Sequence, residues 1–167
     1  MRKLILVVTV LFCGIACYGQ TAEEYVKKGS VKDSIGDFKG AIENYNKAIE
    51  INPDYADAYC NRGAAKGGLN DFKGAIEDYD KAIEINPNDA HAYCNRGLAK
   101  YNLNDLKGAI EDYTKAIEIK PDYTNAYYNR GLAKYTLGDT AKACLDWHKA
   151  SKLGFEKEDE LIKQYCK

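Results

Sequence analysis

The residues with the most reactive side chains are the histidines and cysteines, and they form no recognisable catalytic pattern. His91 and His148 lie in different parts of the chain, away from any cluster of potential metal ligands. The sequence contains no glycine-rich phosphate loop, HExxH helix, CxxC pair or nucleophile elbow. Its many Asp and Glu residues recur on polar faces, where solvation is their ordinary role. The sequence therefore predicts a protein that is not an enzyme and uses no metal or other cofactor.

A set of arginines and aspartates recurs at a spacing of 34 residues. The arginines are Arg62, Arg96 and Arg130, and the aspartates are Asp78, Asp112 and Asp146. The first unit is the exception: it has Lys28 in place of the arginine and Asn44 in place of the aspartate, so both partners change together. We therefore expect three structural Arg–Asp ion pairs, partly buried and bidentate where the geometry allows.

Asparagines stand directly before these arginines, at Asn61, Asn95 and Asn129. An amide side chain donates and accepts hydrogen bonds at the same time, so a row of amides can hold the backbone of an extended peptide. Three solvated amides that merely help the helices to pack are the alternative, which the sequence leaves open.

These spacings come from an internal repeat. Pro53, Pro87 and Pro121 mark it, and the predicted units are 22–55, 56–89, 90–123 and 124–157. Apolar residues at helical spacing predict two helices in each unit. The turn between them holds Gly or Asn, which favour a left-handed backbone, and then an Asp that can cap the second helix: Gly36-Asp37, Asn70-Asp71, Asn104-Asp105 and Gly138-Asp139. We expect Asp54, Asn88 and Asp122 to cap the first helices of the following units.

The composition excludes several classes of protein. The chain has 167 residues, a net charge of −1, 46% hydrophobic and 29% charged residues. A near-neutral chain has no overall field that would attract nucleic acid. This balance of apolar and charged residues is typical of a folded protein, and no interior apolar run is long enough to span a bilayer.

The repeated order of Tyr, Gly, Ala, Tyr, Ala and Pro resembles the tetratricopeptide-repeat family from about residue 22 to 156. The resemblance implies an all-α, right-handed superhelical solenoid of antiparallel helix pairs. It also implies a concave groove, lined by the first helices, that binds peptides or proteins. On this groove it places the three asparagines together with His91, Leu98, Tyr101, Asn102, Tyr128 and Tyr135. Chaperone-tail-binding members hold a carboxylate with a clamp of Lys, Asn and Arg, of which only Asn61 is matched, so we expect a different ligand.

A capping helix is predicted over 158–167. Gly154 breaks the preceding helix, and Leu161, Ile162 and Tyr165 then recur at helical spacing, so this helix is expected to cover Trp147 and Leu145.

The capping helix also decides the cysteine pairing. Two antiparallel neighbouring helices would bring Cys144 and Cys166 together, which predicts a disulfide. Cys60 and Cys94 are expected to stay free, because neighbouring helix axes lie about 8–10 Å apart and a disulfide needs Cα atoms within about 7 Å.

Residues 1–19 resemble a signal peptide, with a basic start, a short apolar stretch and small residues before Gln20. Lipid attachment at Cys17 is the less favoured alternative. The sequence predicts export to the periplasm, the cell envelope or the medium.

The expected function is that of a non-catalytic exported scaffold for a protein or peptide partner. The alternatives are a structural or assembly component, or lipoprotein-like spacer, of the cell envelope that acts through other surfaces, and an accessory subunit of an enzyme complex.

Overall fold

Nine α-helices and no strand make up the part of the chain that the computed structural model describes, which is residues 20–154 and 158–166. The predicted signal peptide lies outside these residues. None of the described helices is long and apolar enough to cross a bilayer. The helices are α1 (Ala22–Ser34), α2 (Phe38–Ile51), α3 (Ala56–Gly68), α4 (Phe72–Ile85), α5 (Ala90–Asn102), α6 (Leu106–Ile119), α7 (Thr124–Thr136), α8 (Thr140–Lys152) and α9 (Glu158–Tyr165).

The helices pack as consecutive pairs, α1 with α2, α3 with α4, α5 with α6 and α7 with α8, and each pair packs on the next. Successive first helices also contact one another, α1 with α3, α3 with α5 and α5 with α7. Within the described ranges, successive second helices are not in comparable contact. The first helices therefore form one continuous inner surface, which we call the groove. This architecture confirms the predicted all-α solenoid.

The turns inside the helix pairs have the predicted left-handed backbone. The positive φ angles are 80° at Gly36, 62° at Asn70, 63° at Asn104 and 86° at Gly138. The aspartate that follows each of these residues caps the next helix, as the Asp105 carboxylate does by accepting a hydrogen bond from the Gly108 amide at 3.0 Å.

The predicted caps of the first helices are wrong by one residue. The N-cap positions of α3, α5 and α7 are Tyr55, Asp89 and Tyr123, not Asp54, Asn88 and Asp122. Only Asp89 among them caps with its side chain, by accepting from the His91 amide. The physical reason is that the turn after each proline is one residue longer than assumed.

Small residues let the helices of a pair approach closely. Ala41, Ala75, Ala109 and Ala143 are completely buried. A Cβ atom added at Gly97 would lie 2.9 Å from the Tyr113 ring, so glycine is required where these helices cross. The core is therefore made of alanines and glycines set against single large rings.

The C-terminal helix α9 packs on α8 and closes the stack. The Tyr165 ring lies 4.8 Å from that of Tyr135, and Trp147 is fully buried. Leu145, however, is 72% exposed, so the prediction that α9 covers it is wrong. The buried positions of α8 are 143, 146, 147 and 150, a spacing that turns residue 145 to the opposite side.

The structure joins Cys144 and Cys166 in a disulfide, with their Cα atoms 5.6 Å apart. Cys94 is buried and Cys60 is half-buried, and both thiols are free.

Candidate peptide-binding groove

Ion pairs between the two helices of a pair fix the scaffold behind the groove. Arg96 donates from Nε to Oδ2 of Asp112 at 2.9 Å and from Nη2 to Oδ1 at 2.6 Å. The Lys100 Nζ lies 2.8 Å from the same carboxylate, and Asp112 is only 4% exposed. The same three-residue arrangement recurs as Arg62–Asp78–Lys66 and Arg130–Asp146–Lys134.

Each of these arginines also reaches the preceding unit. Nη1 of Arg62 donates to Asn46, that of Arg96 to Asp80 and that of Arg130 to Thr114, at 2.7, 2.6 and 3.0 Å. One guanidinium therefore joins its own helix, the second helix of its unit and the second helix before it. Sequence reasoning missed the lysines and these acceptors, although a lysine stands four residues after every one of the three arginines.

The predicted row of asparagines lies half-buried on the first helices, one residue from the arginines. The Asn95 amide contacts the Cys60 thiol of the preceding unit, and Asn129 contacts Cys94 in the same way. Burial raises the pKa of Cys60 to about 12, while the polar contact with Asn95 opposes that rise. The thiol is therefore a neutral neighbour of the amide at physiological pH.

Two depressions on the groove are lined by five of the nine predicted groove residues. A cleft of about 700 Å³ is lined by Asn61 and His91 and by Val26, which stands where the next unit has Cys60. A smaller pocket of about 220 Å³ is lined by Asn95, Leu98 and Asn102. Asn61 thus lies at a cleft of mixed polarity and Asn95 at a mostly apolar pocket.

His91 is held against the following turn and not free in the cleft. Its Nδ1 lies 2.9 Å from the Tyr123 hydroxyl, and the two rings are 4.9 Å apart. Burial raises the pKa of Tyr123, with smaller effects from Cys94. The neutral Tyr123 phenol thus connects the exposed histidine with the buried thiol.

The three predicted groove tyrosines have different surroundings. Tyr101 is half-buried, and its hydroxyl lies 3.3 Å from that of Thr136 in the next unit. Tyr135 packs on Trp147 and Tyr165, so its ring belongs to the cap as much as to the groove. Tyr128 is half-buried on α7. Tyr101 therefore reaches the next unit, whereas Tyr135 contributes to the cap.

The lining of the larger cleft is weakly acidic, with Asp57 and Asp89 against Lys120, and the lining of the smaller pocket holds no charged residue. Lys66 and Lys100 are each paired with a buried aspartate, whereas Asp57 is exposed on α3. Asp33, at the end of α1, is half-buried, and its Oδ1 has no hydrogen-bond partner. Such a surface favours neutral or basic ligand groups over a carboxylate.

Family models match most of the helical part of the chain. A model described as "TPR repeat" matches residues 29–69 and 99–138, and two models described as "Tetratricopeptide repeat" match residues 56–89 and 78–111. A search of curated protein sequences found no match.

Solved structures include clear relatives of this fold. A crystal structure of MamA is 30% identical, with a TM-score of 0.74, over 86% of this chain and 81% of its own. The MamA 41-end structure from Desulfovibrio magneticus RS-1 is 23% identical with a TM-score of 0.73, over 79% of this chain and 75% of its own, a likeness in fold alone. The first TPR of Spaghetti (RPAP3), bound to the HSP90 peptide SRMEEVD, is 28% identical with a TM-score of 0.70, over 71% of this chain and 94% of its own. Repeat spacing, helix pairing and these matches agree, and the chain belongs to the tetratricopeptide-repeat family.

Proposed function

We propose that this protein is a non-catalytic, exported scaffold that binds an extended peptide segment of another protein in its groove. The backbone of the peptide would lie along Asn61, Asn95 and Asn129 and exchange hydrogen bonds with their amides. A stiff stack of helices avoids much of the ordering cost that binding usually carries.

The observation that carries this proposal is the positioning of the asparagines. Asn95 and Asn129 are half-buried beside the thiols of the preceding units, so part of each side chain is already packed before a ligand arrives. The Spaghetti (RPAP3) structure supports it further, because a related array of repeats holds a peptide.

The ligand we propose differs in chemistry from a carboxylate-rich peptide. Lys66 and Lys100 are already paired with aspartates, and His91 is engaged by Tyr123. Lys120 lines the larger cleft, where it lies over the Tyr123 ring and shares the lining with Asp57 and Asp89. An acidic tail would therefore meet few unpaired cations among the described groove residues.

Export is part of the proposal and rests on residues 1–19. N-terminal sequencing and mass measurement of the natively produced protein test it. A mature chain that begins at Gln20 supports secretion, a lipid on Cys17 supports anchoring instead, and an intact Met1 in the cytoplasm would contradict export.

The groove is tested with peptides selected from a random-sequence library against the natively produced protein. Asn61→Ala, Asn95→Ala and Asn129→Ala are combined, and helicity is checked by circular dichroism. Loss of three hydrogen bonds at about 1 kcal/mol each weakens binding roughly 100-fold.

The matched control combines Glu43→Ala, Glu77→Ala and Glu111→Ala, which have the same 34-residue spacing and are exposed on second helices. Unchanged affinity in the control and loss in the asparagine variant are expected. Equal affinity in both variants would move the site away from the groove.

A second candidate function is assembly through another surface. Ile35, Leu69, Leu103 and Leu137 occupy equivalent positions at the ends of the first helices and are 71%, 41%, 41% and 47% exposed. They form an exposed aliphatic row along one edge of the stack. Retained partner binding in the asparagine variant, together with its loss in a Leu69→Ser/Leu103→Ser variant, would favour this candidate.

A further inference from the structure

The small pocket between the second and third units has an unusual origin. Its walls include Ala75, Tyr79 and Ala99, with Gly67 at its edge, and its volume is about 220 Å³. An apolar cavity of about 150 Å³ is large enough to bind benzene. The pocket can therefore accept one large apolar side chain.

The next unit shows what normally fills this space. Ala109, Tyr113 and Ala133 lie 34 residues after the three wall residues and form the equivalent surface. There the surface is covered by Tyr101, which packs against that cluster and reaches Thr136 with its hydroxyl.

The second unit has a glycine in place of this tyrosine. The equivalent residues of the four units are Asp33, Gly67, Tyr101 and Tyr135. Gly67 occupies the position of Tyr101, and a Cβ added there would meet no atom within 4 Å. The pocket is thus the space that a tyrosine ring fills in the next unit. Gly67 is not required to be glycine by close packing or by a left-handed backbone.

The pocket also adjoins the asparagine row. Asn95 lines it, and so does Leu98, which is 46% exposed. A peptide backbone held by Asn95 would therefore pass the mouth of the pocket, where an adjacent side chain can enter.

Asp33 stands in the same row, 34 residues before Gly67. Its Oδ1 is buried without a hydrogen-bond partner. Burial raises the pKa of Tyr79 in the pocket wall, and acidic neighbours including Asp33 add to the effect, so this carboxylate lies within electrostatic reach of the pocket.

We propose that the Gly67 pocket is the specificity site of the groove, and that it takes one Phe- or Leu-sized side chain from a peptide that places a Lys or Arg beside Asp33. The inference rests on the proposed function, since it assigns the sequence preference of the same groove. The occupant is an internal segment of a partner protein with an apolar residue and a nearby basic residue.

The test fills the pocket with the residue that the next unit carries. Acetylated and amidated peptides selected against the natively produced protein are compared on Gly67→Tyr and on the control Gly67→Ala, which leaves the pocket open. We expect the selected peptides to share one large apolar residue and a nearby Lys or Arg. Affinity should fall about 10- to 100-fold in Gly67→Tyr, the contribution of one buried large side chain, and should stay unchanged in Gly67→Ala.

Three further variants test whether the loss of affinity in Gly67→Tyr comes from filling the pocket. Replacing the apolar residue of the peptide by Ala should weaken binding to the wild type as much as Gly67→Tyr does, with little further loss when both are combined. Asp33→Asn should weaken binding a few-fold at low salt only. Gly67→Leu replaces Gly67→Tyr if circular dichroism shows that the tyrosine variant is misfolded.

The outcomes separate this inference from the proposed function. Equal affinity of Gly67→Tyr and wild type, with loss in the asparagine variant, overturns the pocket and leaves the groove. Absence of any peptide binding by the wild type overturns both. A dimer that Gly67→Tyr dissociates in sedimentation experiments would assign the pocket to a second copy of the chain and overturn the peptide proposal.

Discussion

The buried carboxylate of Asp112 is the residue whose removal should be most damaging to the scaffold. It is 4% exposed and accepts hydrogen bonds from Arg96 at 2.9 and 2.6 Å, with Lys100 at 2.8 Å. Asp112→Leu leaves two cations without this partner, and breaking a buried pair in this way costs about 3–5 kcal/mol. Arg96→Leu leaves the carboxylate paired with Lys100, so we expect a smaller cost of about 1–3 kcal/mol.

The double variant Arg96→Leu/Asp112→Leu distinguishes a real pair from two independent contributions. Two apolar side chains that face each other remove the buried charges together, and Lys100, whose side chain is 21% exposed, can extend to solvent. We therefore expect the double variant to be less destabilised than the sum of the single variants, by about 2 kcal/mol.

Urea unfolding followed by circular dichroism measures these differences, provided that the m-values agree among the variants. Lys115→Ala is the control, since its pair with Glu118 is exposed on both sides and should contribute less than about 1 kcal/mol. Additive effects of the two single changes, within about 0.5 kcal/mol, would refute the pairing argument.

Three other predictions follow from the packing and the cysteines. Gly97→Ala should lower stability by about 1–3 kcal/mol in thermal unfolding, because the new Cβ would lie 2.9 Å from the Tyr113 ring. Cys144→Ser should release α9, lower stability by up to about 3 kcal/mol and shift the emission of the single Trp147 to the red; reduction of the wild type should reproduce the shift. Burial raises the pKa of Cys60 to about 12, above the unfolded value of about 8.5, so the stability that this thiol contributes is present below that value and is lost as pH rises toward 12. Cys60→Val should flatten this alkaline decline in urea titrations.

Each of these three predictions has a result that would contradict it. An unchanged melting temperature in the glycine variant, unchanged tryptophan emission after reduction, or an identical alkaline slope in the valine variant would each contradict the corresponding explanation. Valine is a suitable replacement because the first unit carries Val26 at the equivalent position.

Repetition made the fold readable from the sequence. Left-handed turns at Asn70 and Asn104 were predictable because the same residue types recur in the same register, and each repeat supplies an independent observation of one local structure. The Arg–Asp pairing was readable for a related reason, since the first unit changes both members.

Other features depend on three-dimensional facts that spacing does not contain. Asp54 looked like a cap, but the exact start of a helix depends on how the preceding turn closes, and the helix begins after Tyr55. Leu145 looked like a core residue because it is apolar, but its direction is set by which side of α8 meets α9. Lys100 was not predicted to have a partner, and it is part of the buried network.

The groove was only partly predictable. The contrast between Gly67 and Tyr101 is visible in the sequence, yet a pocket appears only when the ring is seen to cover the neighbouring unit. Asn95 and Cys60 likewise belong to different units, so the residue spacing within one unit does not predict that they are neighbours.

The contacts that the arginines make with the preceding unit differ along the stack, and this difference predicts the order in which the units unfold. The first unit has Lys28 in place of the arginine and is tied to the second through the uncharged acceptor Asn46, whereas Arg96 meets the charged Asp80 in the middle. The opposite end is closed by a covalent bond between α8 and the residue after α9. Because repeat arrays lose order through neighbour contacts, one unit after another, unfolding should begin at the N-terminal pair and move toward the cap. Hydrogen exchange would then show the least protection in α1 and α2, and the half of the groove that holds Asn95 and Asn129 would outlast the half next to Asp33.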